Sequence, residues 1–519
     1  MTLHPDIILL VLDTQRIDRL SCYGHKLETS PYLDAFAEDA TLFRHAFSTA
    51  QWTIPSHASM FTGLYPNQHS MLHASSVLPD TLTPLAERLA SAGYFTAAFC
   101  NNPLIGVVNT GLQRGFASFL NYGGWMTSRP HQSGTSSHLL DRYRQHFKRF
   151  LAGVVTSLQD IFARSDTLLD LSFSPLMAPL WQTALSFKGN TAKALQDAVR
   201  LHSKRSQITA DQPIFSFINL MGTHMPYHPP PRFVERFAAQ TSQGKVARRY
   251  LRQFNSDVFG WMAPLTSAID EEQKATLDGM YNAEVASQDE LVGAFFEQLR
   301  TSGALDHTLV IVCADHGEHL GEHQFMGHSI SLYNTLVHVP LIIYDPSGDL
   351  PRGSTVDRFV STRRIFQTAL TAAGCATEHE QALTLAQSPI SDPDHGHIFA
   401  TGITPQNLLN VMRRRRPDLI QMRRCDQPRL AVWNDRYKLI QTGQDELELY
   451  DSIDDPDEAI NLCDILPEQV EALQEQLQGF MGSLSLTTST EKPLQGTEQA
   501  ETSHDPLVHR RLHDLGYLE

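Results

Sequence analysis

The chain has 519 residues, with 41 Lys+Arg against 57 Asp+Glu for a formal net charge of −16, and it is 41% hydrophobic and 19% charged. This is the composition of an ordinary globular protein with a sizeable core, and it argues against a disordered chain, a membrane-spanning chain or a generic nucleic-acid binder. Six cysteines, at 22, 100, 313, 375, 425 and 463, form no CxxC pair, so a thiolate zinc site is disfavoured and a reducing compartment is suited.

The N-terminus lacks a basic segment, and the apolar run 7–12 is too short for a signal sequence. It reads instead as a strand buried on both faces that stops at Asp13. Thr83-Pro84 opens a helix that ends at Gly93, and residues 95–100 are strand-like. Residues 118–205 break this rhythm and read as a helical insertion. There Tyr143, Phe147, Phe150, Val154, Leu158 and Ile161 share one face, and Arg142, Arg144, Lys148 and Arg149 lie opposite. Such a segment is either a lid with a solvated basic face or a peripheral contact with an anionic membrane. Residues 168–187 contain Asp170, Pro175, Pro179 and Gln182 and make a poor membrane span, so the expected location is cytoplasmic.

After the insertion come a strand at 214–218, an amphipathic helix at 285–300 and a buried strand at 309–314 that stops at Asp315. The alternation predicts an α/β fold, a mainly parallel sheet sandwiched by helices, with the ligand site beyond the carboxyl ends of the strands. Asp13 and Asp315 both fall there. From about 425 short strand-like pieces at 430–433, 437–440 and 447–450 and a helix at 468–480 predict a small antiparallel sheet with a helix. The expected organisation is a catalytic domain 1–424 carrying the 118–205 insertion, a C-terminal subdomain 425–483, and a linker and tail 484–519. Residues 445–475 hold 12 acidic and no basic side chains, so the rest of the chain is only −16 + 12 = −4.

Three clusters carry chemistry. Thr53-Ile-Pro-Ser-His57 places Thr53 at a helix N-terminus, where an anion is favoured and a hydroxyl can act as nucleophile; the same pattern also serves as a plain helix cap. Asp315-His-Gly-Glu-His319, continuing to His323 and His328, offers carboxylate and imidazole ligands for a divalent ion, or a solvated loop. A helical zinc site of His316, His319 and His323 has the right spacing, but Gly317 and Gly321 oppose a helix. Thr223-His224-Met-Pro-Tyr227 follows a strand and presents a histidine that either donates to an ester oxygen or is structural. Arg413 to Arg416, with Arg423 and Arg424, form a basic patch that is either solvated or a clamp for a second anion.

In this order the clusters resemble the sulfatase-like branch of the alkaline phosphatase superfamily. The resemblance also rests on Asp13-Thr-Gln-Arg16, Leu20-Ser-Cys-Tyr-Gly24, Met60-Phe-Thr-Gly63, Tyr65-Pro-Asn-Gln-His69, Tyr281-Asn-Ala-Glu-Val285, Val339-Pro-Leu-Ile-Ile343, Arg436-Tyr-Lys-Leu-Ile440, Leu449-Tyr-Asp451 and Leu512-His-Asp-Leu-Gly-Tyr-Leu518. It implies a metal-dependent transfer at phosphorus or sulfur. Asp13, Asp315, His316 and Thr53 would hold the ion (Mn, Mg, Ca or Zn, one or two). Thr53 would be the nucleophile and His224 and His328 the polar groups at the leaving oxygen, with His57 and Arg16 binding the anionic ester.

Two departures shape the expected chemistry. Sulfatases of this branch carry Cys or Ser, oxidised to formylglycine, where Thr53 stands, and an Arg where His57 stands. They also have Asp-Asp where this chain has Asp13-Thr14. Threonine cannot yield the aldehyde, which favours hydrolysis of phosphate mono- or diesters, or phosphotransfer, through a covalent Thr53 ester. The alternatives are a sulfatase that uses threonine directly and a non-catalytic metal-binding protein associated with membranes.

Overall fold

The computed structural model describes residues 4–123, 131–132, 188–204, 212–256, 262–387 and 392–488. The basic and apolar faces expected within 139–163, and the motif 512–518, lie outside the described residues.

Fifteen strands are assigned in chain order: β1 Asp6–Leu12, β2 Thr41–Phe47, β3 Phe95–Cys100, β4 Ser118–Asn121, β5 His131–Gln132, β6 Ile214–Leu220, β7 Thr308–Cys313, β8 His319–Leu320, β9 Met326–Gly327, β10 His338–Tyr344, β11 Ser354–Ser361, β12 Ile398–Gly402, β13 Arg429–Trp433, β14 Tyr437–Thr442 and β15 Glu446–Asp451. Nine of them form one sheet in the order β11-β2-β10-β7-β1-β6-β3-β4-β5. The central β7, β1, β6, β3 and β4 run parallel. β10 is antiparallel to both β7 and β2, so the sheet is mixed. A strand buried on both faces reads as a continuous apolar run in either direction, which is why the sequence leaves that orientation open.

β1 shows how the two layers are built. Alternate residues point to opposite faces. Ile8, Leu10 and Leu12 pack with Leu277, Tyr281, Val285 and Phe296 of the long helix Glu271–Thr301. Ile7, Leu9 and Val11 pack with Ile54, Ala58 and Phe61 of helix Thr53–Thr62 and with Leu85 and Leu89 of helix Leu85–Ser91. The long helix begins at a capping box between Asp270 and Gln273, well before the helix expected at 285–300, and its first turns also reach the loops, with Asp278 accepting from Arg19 and Lys274 donating to Glu322.

The second sheet, β12-β13-β14-β15, is antiparallel and takes its first strand from Ile398–Gly402, ahead of residue 425. Ala431, Trp433, Ile440 and Tyr450 press one face onto Phe47, Leu332, Leu336 and Phe359 of the catalytic part. The other face is covered by Leu473 and Leu477 of helix Pro467–Thr488, and Phe480 of that helix stacks on Phe399 at 4.1 Å. The helix thus runs past 484, where a linker was expected. No helix among the described residues is long and apolar enough to cross a membrane.

Candidate active site

The parallel strands deliver their carboxyl ends to one place. Asp13 follows β1, Asn101 and Asn102 follow β3, Asn219 lies near the end of β6, and Asp315 and His316 follow β7. Just past β1 the chain turns at Thr14, which has a left-handed φ of 61°. The turn is held by Tyr281, whose hydroxyl donates to Thr14 O (2.6 Å) and accepts from Arg16 N (2.9 Å), and by Thr14 N donating to Asp315 Oδ1 (3.2 Å). Gly317 lets the next loop lie flat on its neighbour: a Cβ there would sit 2.0 Å from Thr335 O, and Gly317 N donates to Leu336 O at 2.7 Å.

Asp13 Oδ2 accepts from Asn102 Nδ2 (2.7 Å) and Asn219 Nδ2 (3.3 Å), and Asp315 Oδ1 accepts from Thr14 N and from His316 N (2.9 Å). Asp13 Oδ1 and Asp315 Oδ2 are buried with no hydrogen-bond partner. His316 Nδ1 donates to Gly317 O (2.9 Å), which leaves Nε2 as a lone pair, 4.0 Å from Asp13 Oδ1 and 3.4 Å from Asp315 Oδ2. Thr53 Oγ1 lies 3.3 Å from the same Nε2. Two unpaired carboxylate oxygens and an unprotonated imidazole nitrogen converging in the interior are costly alone and are the donor set a divalent cation satisfies. Burial pushes both carboxyls up to about 7, and for Asp13 the Asp315 charge adds to it.

Among the described residues, Asp13, Asp315 and His316 are the only such group of three, with all ligand atoms within 4.8 Å of one another. Two histidines of the following loop, His319 and His323, are engaged elsewhere. His319 Nε2 pairs with Ser331 Oγ (2.7 Å), and His323 stacks on Tyr333 at 3.9 Å with its Nε2 donating to Asp457 O. Neither this loop nor its ligands form the helical three-histidine arrangement that the spacing allowed.

Thr53 is the first residue of its helix, as expected. His57 supports it from within the helix: Nδ1 donates to Thr53 O (2.9 Å) and Nε2 accepts from Asn219 Nδ2 (3.4 Å). Burial drops its pKa to about 3, which favours the neutral ring. The Arg16 guanidinium is held by Asp18 (2.7 and 2.9 Å), Glu322 Oε1 (2.8 Å) and Glu318 O (3.2 Å), which joins the β1 and β7 loops.

His224 and His328 do come together. Their rings are 5.0 Å apart, and the His328 ring is 4.6 Å from that of His316. His224 Nδ1 donates to Met225 O (2.5 Å), and His328 Nδ1 donates to the buried Glu318 Oε1 (2.7 Å). Burial lowers both histidines, His224 to about 3, and raises Glu318. Asn102, Asn219, Tyr281 and Glu318 are the site residues that sequence reasoning gave no role. An Asn-Asn-Pro at the end of a buried strand was the available signal for Asn102. In the basic patch Arg416 pairs with Asp418, and Arg424 pairs with Asp445 and Glu446. Asp289 is structural, accepting Tyr32 N and Leu33 N at the start of helix Pro31–Ala37.

The chain belongs to the sulfatase family of hydrolases, within the alkaline phosphatase superfamily: the family's model, described as Sulfatase, matches residues 5–375. The chain is similar to an arylsulfatase of Clostridium perfringens, 22% identical over 380 residues that cover 71% of this chain and 74% of that protein. It is also similar to the multifunctional alkaline phosphatase superfamily protein PehA of Trinickia caryophylli, 23% identical over 72% of this chain and 74% of that one. Among solved structures, the phosphonate monoester hydrolase of Agrobacterium radiobacter matches with a TM-score of 0.62, at 20% identity, over 93% of this chain and 96% of that one.

Proposed function

We propose that the protein hydrolyses phosphate mono- or diesters through a covalent ester on Thr53. The observation that carries this reading is Thr53 Oγ1, at the first position of its helix and 3.3 Å from His316 Nε2, beside the two unpaired carboxylate oxygens. Threonine bears a methyl group on its hydroxyl carbon, so oxidation would give a ketone and not the aldehyde of formylglycine. The hydroxyl itself is therefore the attacking group, as phosphoryl transfer requires.

Asp13, Asp315, His316 and Thr53 would hold a divalent cation, which lowers the hydroxyl pKa and neutralises charge that develops on the transferred group. The oxygen-rich set with one imidazole suits Mn, Mg, Ca or Zn, and a single ion. His57 fixes the carbonyl of Thr53 and so the direction of its side chain. Thr53 Oγ gives up its proton and attacks phosphorus in line, the bond to the leaving oxygen breaks, and that oxygen takes up one proton, so the proton lost by the hydroxyl is balanced by the one gained by the leaving alcohol. His224 and His328 flank it, and the negative ester makes protonation of these buried rings less costly. Water then attacks the threonine ester and restores the hydroxyl, releasing phosphate when the substrate is a monoester and a phosphate monoester when it is a diester. An overall acidic chain accommodates an anionic ester because the local field, not the net charge, acts there.

Membership of the sulfatase family and the likeness to an arylsulfatase favour a second reading, hydrolysis of sulfate esters by the same threonine. Assays of aryl phosphate, bis-aryl phosphate and aryl sulfate on the metal-loaded enzyme, with elemental analysis of the purified protein, separate the two. Preferential turnover of either phosphate ester is expected, and a strong preference for sulfate overturns the first reading.

A further inference from the structure

His328 sits on the segment joining β9 to β10, and the residue after it, Ser329, is held at φ 100°, a conformation that a non-glycine residue adopts only when its surroundings impose it. Two anchors impose it. On the near side Gln51 Nε2, two residues before the nucleophile, donates to Ser329 O (3.0 Å) and to Ile403 O (3.1 Å), just past β12 of the second sheet. On the far side stands Lys438 of β14. Its ammonium donates to Leu332 O (2.6 Å), to Asn334 Oδ1 (3.1 Å) and to Glu458 Oε1 (2.6 Å), and it lies 4.9 Å from the Trp433 ring. Glu458 closes the loop by accepting Asn334 N through its other oxygen (2.5 Å). Both side chains are essentially solvent-free, 0% and 1% exposed.

A buried ion pair of this kind is weak evidence for stability, because desolvation offsets most of its attraction. Its geometry serves another end. All three acceptors of the Lys438 ammonium belong either to the segment that follows His328 or to the carboxylate that grips the same segment. An apolar side chain at 438 would fill the space but hold none of them.

We infer that Lys438, together with Glu458, is a positioning residue for the reaction: the C-terminal sheet fixes the segment 329–334 and through it the distance between His328 and the leaving oxygen. The inference rests on the proposed function only in placing His328 at that oxygen. The C-terminal sheet is then part of the catalytic unit rather than an appendage.

The test uses Lys438→Met and the double variant K438M/E458L, which removes the carboxylate the single change would strand. Each is measured on two esters of the same acid, one with a dinitrophenolate leaving group and one with a phenolate or alkoxide. A poorly stabilised leaving group depends on His328, and a displacement of about 1 Å costs on the order of 100-fold. Expected is a loss of kcat on the poor leaving group of about 100-fold with KM nearly constant. On the dinitrophenyl ester the loss stays within about threefold, and the double variant melts close to the parent. Equal losses on both esters, or no loss on either in a folded double variant, overturn the inference. The series is run as phosphates or as sulfates, whichever the parent turns over. A parent active only on sulfates rejects the phosphoryl reading while leaving the comparison of leaving groups intact.

Discussion

Tyr281→Phe isolates the link between the long helix and the cation site. The hydroxyl is fully buried, donates to Thr14 O at 2.6 Å and accepts Arg16 N at 2.9 Å, and the ring packs in the core, so phenylalanine keeps the packing and removes only the oxygen. Two buried backbone groups lose their partner. An unsatisfied buried group costs about 1–3 kcal/mol, so the two together give an expected destabilisation of about 2–6 kcal/mol. The turn at Thr14 is in a left-handed conformation that these bonds enforce, so its relaxation moves Asp13 away from Asp315 and His316. Loss of such supporting bonds weakens metal affinity by about 10–100-fold, or about 1.4–2.7 kcal/mol. Denaturant unfolding gives the first figure, and calorimetric titration with Mn or Mg gives the second. A variant within about 0.5 kcal/mol of the parent and with unchanged metal affinity would refute the reasoning.

Metal uptake should be coupled to protons. Burial raises Asp13 and Asp315 from 3.8 to about 7 in the metal-free protein, so between those values the folded state binds more protons than the unfolded state. The metal-free protein therefore gains stability from these groups as pH falls through about 7. Metal affinity weakens over the same window, by up to about tenfold per pH unit for each proton displaced. Thermal melts with and without metal at a series of pH values check both signs, and a pH-independent affinity between 5 and 7 rejects them. Arg16→Met should cost about 1–3 kcal/mol in stability, reduced by the exposure of Asp18, yet leave KM for small esters within about twofold. A tenfold rise in KM would return Arg16 to the ester.

The parts of the site that were legible in the sequence are those set by local pattern. An apolar run that stops at a carboxylate marks Asp13 and Asp315, His316 is the next residue, and Thr53 precedes a proline at a helix start. The amides Asn102 and Asn219 were not legible, because their meaning comes from the sheet order that sets β3 and β6 beside β1. The partners of Arg16 and His57 were hidden for a related reason. The side-chain types of these two residues fit an anion, but what engages them is distant in the chain: Glu322 for Arg16 and Asn219 for His57. The second sheet was read from its three hairpin-connected strands. Its first strand, Ile398–Gly402, is joined by a long connection and escaped notice.

The most direct measurement is mass spectrometry of the acid-quenched, metal-loaded enzyme during turnover of an aryl phosphate, alongside steady-state assay of Thr53→Ala. The expected result is one phosphoryl group on the peptide containing Thr53, absent from a variant that binds metal but does not turn over. A phosphoryl group on another residue, or undiminished turnover by Thr53→Ala, would contradict the assignment of Thr53 as nucleophile.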